Sequence, residues 1–144
     1  MSPPDIAASN AAGGNRIQQA VAEFHAATGS TIGTNPALRD LELRKKIIRE
    51  EFEEVIEALE AEDLVSAAAE MCDLFYVLAG TFVAAGVDFA PIFEEIHAAN
   101  MRKVGGPRRE DGKSLKPADW QPADIRPLIE TQITAALAQD SRKP

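Results

Sequence analysis

Apolar and polar positions along the chain recur with a period close to 3.6, and nowhere with the strict alternation of a half-buried strand. Ile17, Val21 and Phe24 define a first helix, capped by Asn15 and stopped by Gly29. Ser30 to Asn35 reads as loop. Pro36 suits a first helical position behind an Asn35 cap, and no proline follows before Pro91. That stretch is too long for one helix of a compact domain, so the polar Glu60-Ala61-Glu62-Asp63 is the expected break. Asp63 then caps a third helix ending near Gly86. Asp88 caps a fourth, with Pro91 in its first turn, ending near Lys103. Gly105-Gly106-Pro107 halts helical structure, and residues 104–121 form a long basic loop of the kind that usually carries function. A last helix covers Asp124 to Gln139. The expected fold class is all-α, an antiparallel helical bundle of four to five helices. Residues 1–14, poor in bulky apolar side chains, are expected as a disordered N-terminal tail, with 15–144 as a single domain.

Helical wheels place the carboxylates. At about 100° per residue, Ile47, Ile48, Phe52, Val55, Ala58 and Leu59 make one broad apolar face of the second helix. Glu51 falls inside that arc and Glu54 on its margin. Glu50 lies just beyond, while Glu53 and Glu57 face the other way and read as solvated. Between Leu64 and Val87 every residue is apolar or small except Ser66, Glu70, Asp73, Tyr76 and Thr81. A helix apolar nearly all round is expected to be buried, and Glu70 and Asp73 with it. Ionised carboxylates there need compensation. No Lys or Arg occurs from residue 50 to 101. A hard divalent ion such as Mg²⁺ or Mn²⁺ is therefore the simplest partner, against a protonated pair or a distant arginine. Cys72, without a basic neighbour, reads as a buried structural thiol.

Composition adds the outer limits. Fifteen Lys and Arg against twenty-three Asp and Glu give a net charge of −8, in a chain of 144 residues that is 45% apolar. Such a chain is expected to be soluble and to fold without staples. One cysteine forms no internal disulfide, and no basic apolar leader is expected, so the localisation expected is cytoplasmic. The longest uncharged run, Leu74 to Val87, is too short for a bilayer, and the negative total argues against nucleic acid as a partner. The charge is uneven, however. Ten of the twenty-three acids lie between Glu50 and Asp73, and six of the fifteen bases between Arg102 and Lys116. Metal carboxylates beside a basic loop suit a polyphosphate. The alternative is a solvated loop neutralised by its own Glu110, Asp111 and Asp119. A di-iron site fails on ligand count. Glu94-Glu95-Ile96-His97 supplies one Glu-x-x-His, but His25 has Ala22 three residues before it.

Glu51-x-x-Glu54, then Glu70-x-x-Asp73, resembles the E-x-x-E…E-x-x-D signature of the all-α nucleoside triphosphate pyrophosphohydrolases. That superfamily includes MazG, the dimeric dUTPases and phosphoribosyl-ATP pyrophosphohydrolase. Glu50 matches the doubled form E-E-x-x-E. Asn100-Met-Arg-Lys103, Asp111-Gly112-Lys113 and Lys116-Pro117-x-x-Trp120 are similar to the region after the fourth helix in MazG-like members, in a single copy and not the tandem of MazG. The likeness spans roughly residues 16 to 125 and is strongest to MazG-like enzymes related to the dimeric dUTPases.

The resemblance implies hydrolysis of a nucleoside triphosphate between the α and β phosphates, with dUTP the first substrate and house-cleaning of the nucleotide pool the role. It implies Mg²⁺, with Mn²⁺ as alternative, on Glu51, Glu54, Glu70 and Asp73. Glu50 is then a further ligand or, with Glu51, part of the catalytic pair that activates water. Asn100 and Lys103 would contact the nucleotide, Lys116 and Lys113 the phosphates, and Trp120 the substrate. For the base, Gln18, Gln19, His25 and Asn100 are the polar candidates, and Phe24, Tyr76 and Trp120 the stacking ones, each equally suited to the core. Broad apolar helix faces predict a homodimer or higher homo-oligomer. Two further readings stand beside dUTP: another non-standard nucleotide, and a non-catalytic helical interaction module with a structural metal.

Overall fold

The structure, a computed structural model, describes residues 6–144. It contains five helices, α1 (Ile6–Thr28), α2 (Leu41–Glu60), α3 (Leu64–Ala85), α4 (Ala90–Met101) and α5 (Arg126–Asp140), and no strand among the described residues. The expected all-α bundle is the observed fold. α2 and α3 form an antiparallel hairpin, with α1 packed across α3 and touching α4. Where α1, α3 and the α3–α4 turn meet, Val21, Ala79 and Val83 form the buried core, with Ala22 and Phe89 against it.

The hairpin turn has a local cause. Asp63 caps α3 as expected, its carboxylate accepting from the amides of Val65 (3.0 Å) and Ser66 (3.1 Å). Two residues at positive φ, Asp40 and Glu62, stand immediately before each helix of the hairpin or its cap. Gly86 ends α3 in the left-handed region at φ 67°, where a Cβ would meet the Asn35 carbonyl oxygen at 2.9 Å.

That close approach explains why α2 starts at Leu41 and not at Pro36. The segment from Gly33 to Ala37 lies along the end of α3, donating from Gly33 N to Val83 O and from Ala37 N to Ala85 O, both 2.9 Å. Arg39 locks it: its guanidinium donates to the carbonyls of Asn35 (2.9 Å), Ala84 (3.3 Å) and Ala85 (3.2 Å) and to Asn35 Oδ1 (2.5 Å). Helix-end carbonyls otherwise lacking donors are thereby satisfied. Arg39→Ala is expected to lower unfolding stability by about 1.5–3 kcal/mol, the range for charge-assisted hydrogen bonds. An unchanged denaturation midpoint would remove Arg39 from this role.

α1 begins at Ile6, inside the stretch expected as tail; alanines favour helix, and each interior glycine costs only about 1 kcal/mol. The part of that expectation covering residues 1–5 lies outside the described residues. Two further expectations need correction. α3 is only partly buried within the chain: Ala67, Ala79, Val83, Ala84 and Ala85 are buried, while Leu64, Val65 and Phe75 are 79%, 81% and 65% exposed. Cys72, on the same helix, is exposed and not a buried thiol. Both errors share one cause. The described helices cover α3 along its α1 and α2 sides and leave the rest open. By length and composition α3 would pass for a membrane span. It carries Glu70 and Asp73 in its middle and packs along α2, which is the pattern of a bundle helix.

Candidate metal and phosphate site

The antiparallel hairpin sets one turn of α2 beside one turn of α3. Carboxylate oxygens of Glu51, Glu70 and Asp73 lie within 4.8 Å of one another, and Glu54 stands within hydrogen-bonding reach of both Glu51 and Glu70. The four residues singled out by spacing thus converge. They do so at a partly exposed position, because Asp73 is open to solvent and Glu51 and Glu70 are half-buried.

Electrostatics reflects the crowding. Desolvation first, then the charges of Glu54, Asp73 and Glu50, hold the Glu51 carboxyl above its ordinary value of 4.5. Desolvation, then Glu54, Asp73 and Glu51, raises that of Glu70. Among the described residues no ion pair neutralises any of the four. Clustered hard oxygen donors without a cation fit a divalent ion of the Mg²⁺ or Mn²⁺ type. Glu50 points away enough for its carboxylate to lie 4.0 Å from Lys46 Nζ. A cleft of about 330 Å³ adjoins the cluster, lined by Glu54, Glu57, Ala58, Ala61, Asp63, Ser66 and Glu70. Glu57, expected as solvated surface, is therefore beside the site.

The raised values make a stability prediction. Both carboxyls favour the protonated form in the fold, so their contribution is complete below the ordinary value of 4.5 and is lost as pH rises through the raised values. Added Mg²⁺ is expected to raise the melting midpoint more at about pH 8 than at about pH 5, where protons compete for the same oxygens. Equal shifts at both would contradict a carboxylate site.

The expected substrate residues form a second cluster at the end of α4. Lys103 Nζ donates to Asn100 Oδ1 (2.8 Å), and the ammonium groups of Lys103 and Lys116 lie 5.4 and 4.6 Å from the centre of the Trp120 ring. Trp120 Nε1 donates to Ala99 O (2.7 Å), which fastens the loop to α4. Two nearby arginines are already engaged. Arg109 pairs with Asp111 at 2.6 Å, and Arg102 donates to the carbonyls of Gln121 and Pro122. The Lys113 side chain is not part of the Trp120 cluster. No hydrogen bond or ion pair joins this cluster to the carboxylates among the described residues.

Of the base candidates, the Gln18 amide bridges Val87 O (2.7 Å) and Phe89 N (3.1 Å), a fastening of α1 to the start of α4. Gln19 lines a separate cavity of about 320 Å³. His25 is buried, its Nδ1 2.8 Å from Thr31 O, and Phe24 and Tyr76 meet edge to face with ring centres 5.7 Å apart. One residue had no sequence signal. Arg44 Nε is buried without a partner, and its Nη1 lies over Gly80, where an added Cβ would sit 2.8 Å away.

Comparison with curated proteins finds no matching relative. Residues 16–100 match the family described as phosphoribosyl-ATP pyrophosphohydrolase, a span that takes in the α2–α3 hairpin with all four carboxylates and ends on Asn100. Covering more than half of the chain, and joined to a carboxylate cluster of the metal-dependent kind on a helical bundle, this match identifies the chain as belonging to the phosphoribosyl-ATP pyrophosphohydrolase family, within the MazG-like all-α superfamily.

Proposed function

We propose that the protein hydrolyses a nucleoside triphosphate between the α and β phosphates, giving the monophosphate and pyrophosphate, with Mg²⁺ (or Mn²⁺) on Glu51, Glu54, Glu70 and Asp73. The observation that carries this reading is the convergence of those oxygens with no cation of the described residues among them. A bound divalent ion supplies neutralisation of the triphosphate and a lowered pKa for the attacking water. Glu50, exposed beside Glu51, is either a further ligand or, with Glu51, the group that accepts the water's proton. Asn100 and Lys103 hold the nucleotide, Lys113 and Lys116 meet phosphate oxygens, and Trp120 fixes both Lys103 and Lys116 by its ring. dUTP is the first substrate, consistent with nucleotide-pool house-cleaning by a cytoplasmic homodimer. A second reading, phosphoribosyl-ATP, is favoured by the family match.

The test is a screen of standard and non-standard nucleoside triphosphates and phosphoribosyl-ATP with Mg²⁺, reading monophosphate and pyrophosphate together. dUMP and pyrophosphate in equal amounts are expected. Inorganic phosphate as product would contradict cleavage at the α phosphorus. Preference for phosphoribosyl-ATP would select the second reading, and no turnover of any nucleotide would leave the helical interaction module.

A further inference from the structure

We infer that Arg44 and His25 read the base, and that the preferred nucleotides are those whose base presents a lactam edge, a carbonyl beside a ring N–H. The inference rests on the hydrolase reading above and names its substrate class.

Register along the hairpin comes first. Arg44 precedes Glu51 by seven residues, two turns of α2 and about 10.5 Å along the same face. Gly80 follows Asp73 by seven residues on α3. In an antiparallel pair, Arg44 therefore meets Gly80 as Glu51 meets Asp73. The seam joining the two places is comparable in length with the span from an α-phosphate to the far edge of a base. Tyr76 lies between Asp73 and Gly80 on α3, and Phe24 immediately precedes His25 on α1. Both rings are about half exposed, at 40% and 50%, as a base-stacking surface requires.

The chemistry of the two readers is complementary. Gly80 has no Cβ, and one there would lie 2.8 Å from Arg44 Nη1 and 3.0 Å from His25 Nε2, so both groups reach the α3 backbone at one point. The Arg44 side chain makes no hydrogen bond or ion pair among the described residues, and its Nε is buried without a partner. A guanidinium only donates. Thr31 O can only accept, so the 2.8 Å contact places a ring proton on His25 Nδ1 and makes Nε2 the ring nitrogen able to accept. Donors and an acceptor stand together at the end of the seam remote from the carboxylates.

A lactam matches that pair: its carbonyl accepts from Arg44 and its N–H donates to His25. Uracil, thymine, guanine and hypoxanthine carry such an edge. Cytosine and adenine carry an amino group beside an unprotonated ring nitrogen, which sets donor against donor and lone pair against lone pair. Sites built to hydrogen-bond a ligand penalise the unmatched one heavily, because their buried polar groups are left unpaired.

The experiment measures kcat/KM with Mg²⁺ for dUTP, dTTP and dGTP against dCTP and dATP, and binding of α,β-imido-dUTP and α,β-imido-dCTP by calorimetry. Wild type is expected to favour the lactam group by roughly 100-fold. Arg44→Met is expected to lower lactam nucleotides about tenfold more than the others, with Arg44→Lys recovering part of the difference. Equal wild-type rates for the two groups would overturn the inference, as would equal losses for all nucleotides in a folded Arg44→Met. If that variant does not fold, the wild-type panel decides. If no nucleotide is hydrolysed the hydrolase reading fails, and the imido analogues still decide the base: tighter dUTP analogue supports the inference, equal binding refutes it.

Discussion

Replacing Glu51 by Gln, or Asp73 by Asn, is expected to lower Mg²⁺-dependent pyrophosphate release by about 1000-fold or more, the equivalent of about 4 kcal/mol of lost transition-state stabilisation. Each substitution keeps side-chain size and removes one negative charge from a cluster whose oxygens lie within 4.8 Å of one another. Loss of that charge weakens ion binding and leaves less to oppose the triphosphate's own charge. The same changes relieve like-charge repulsion, which with burial holds Glu51 and Glu70 above the ordinary carboxyl value. The metal-free variants are therefore expected to melt at or above the wild-type temperature. Activity and stability move in opposite directions, a combination that generic damage to the hairpin does not give. Glu53→Gln, on the exposed side of α2, is the control and should retain activity. Coupled pyrophosphate assays and thermal melts without metal check both halves. Full activity in Glu51→Gln and Asp73→Asn would remove the carboxylates from the reaction.

What the sequence disclosed follows from how local its causes are. Asp63 and Gly86 bounded α3 because an N-cap acid and a left-handed C-terminal glycine act within their own turns. The convergence of Glu51, Glu54, Glu70 and Asp73 was legible because three-residue spacing fixes a helix face whatever packs on it. The start of α2 was not legible, since the segment before it is held by Arg39 against carbonyls more than forty residues away. Lys103 and Lys116 announced themselves as a basic loop, but their shared placement on Trp120 did not. Arg44 gave no signal, because its neighbours His25 and Gly80 come from two other helices. Burial of α3 was legible only in part: one chain covers its α1 and α2 sides, and the remaining apolar surface is what the same pattern assigns to a homo-oligomer.

A second copy of the chain is expected to complete that cover. Leu59 on α2, at 52% exposed, and Leu64, Val65 and Phe75 on the turn side and outer face of α3 are large apolar side chains open to water. Fully burying each such residue stabilises by about 1.5–3 kcal/mol, so a self-complementary interface over this surface has ample driving force. Sedimentation at micromolar concentration should give a dimer or larger, with a melting midpoint that rises with protein concentration. Phe75→Glu places a charge in that surface and is expected to shift the protein to monomer and remove the concentration dependence. A wild-type monomer with a concentration-independent midpoint would refute the interface. The choice of Phe75 also separates assembly from chemistry. It stands about 200° around α3 from Asp73, on the side away from the carboxylates, so the substitution leaves the ligand set in place. If activity falls with dissociation while Mg²⁺ still raises the midpoint, the site depends on the partner copy for more than its carboxylates.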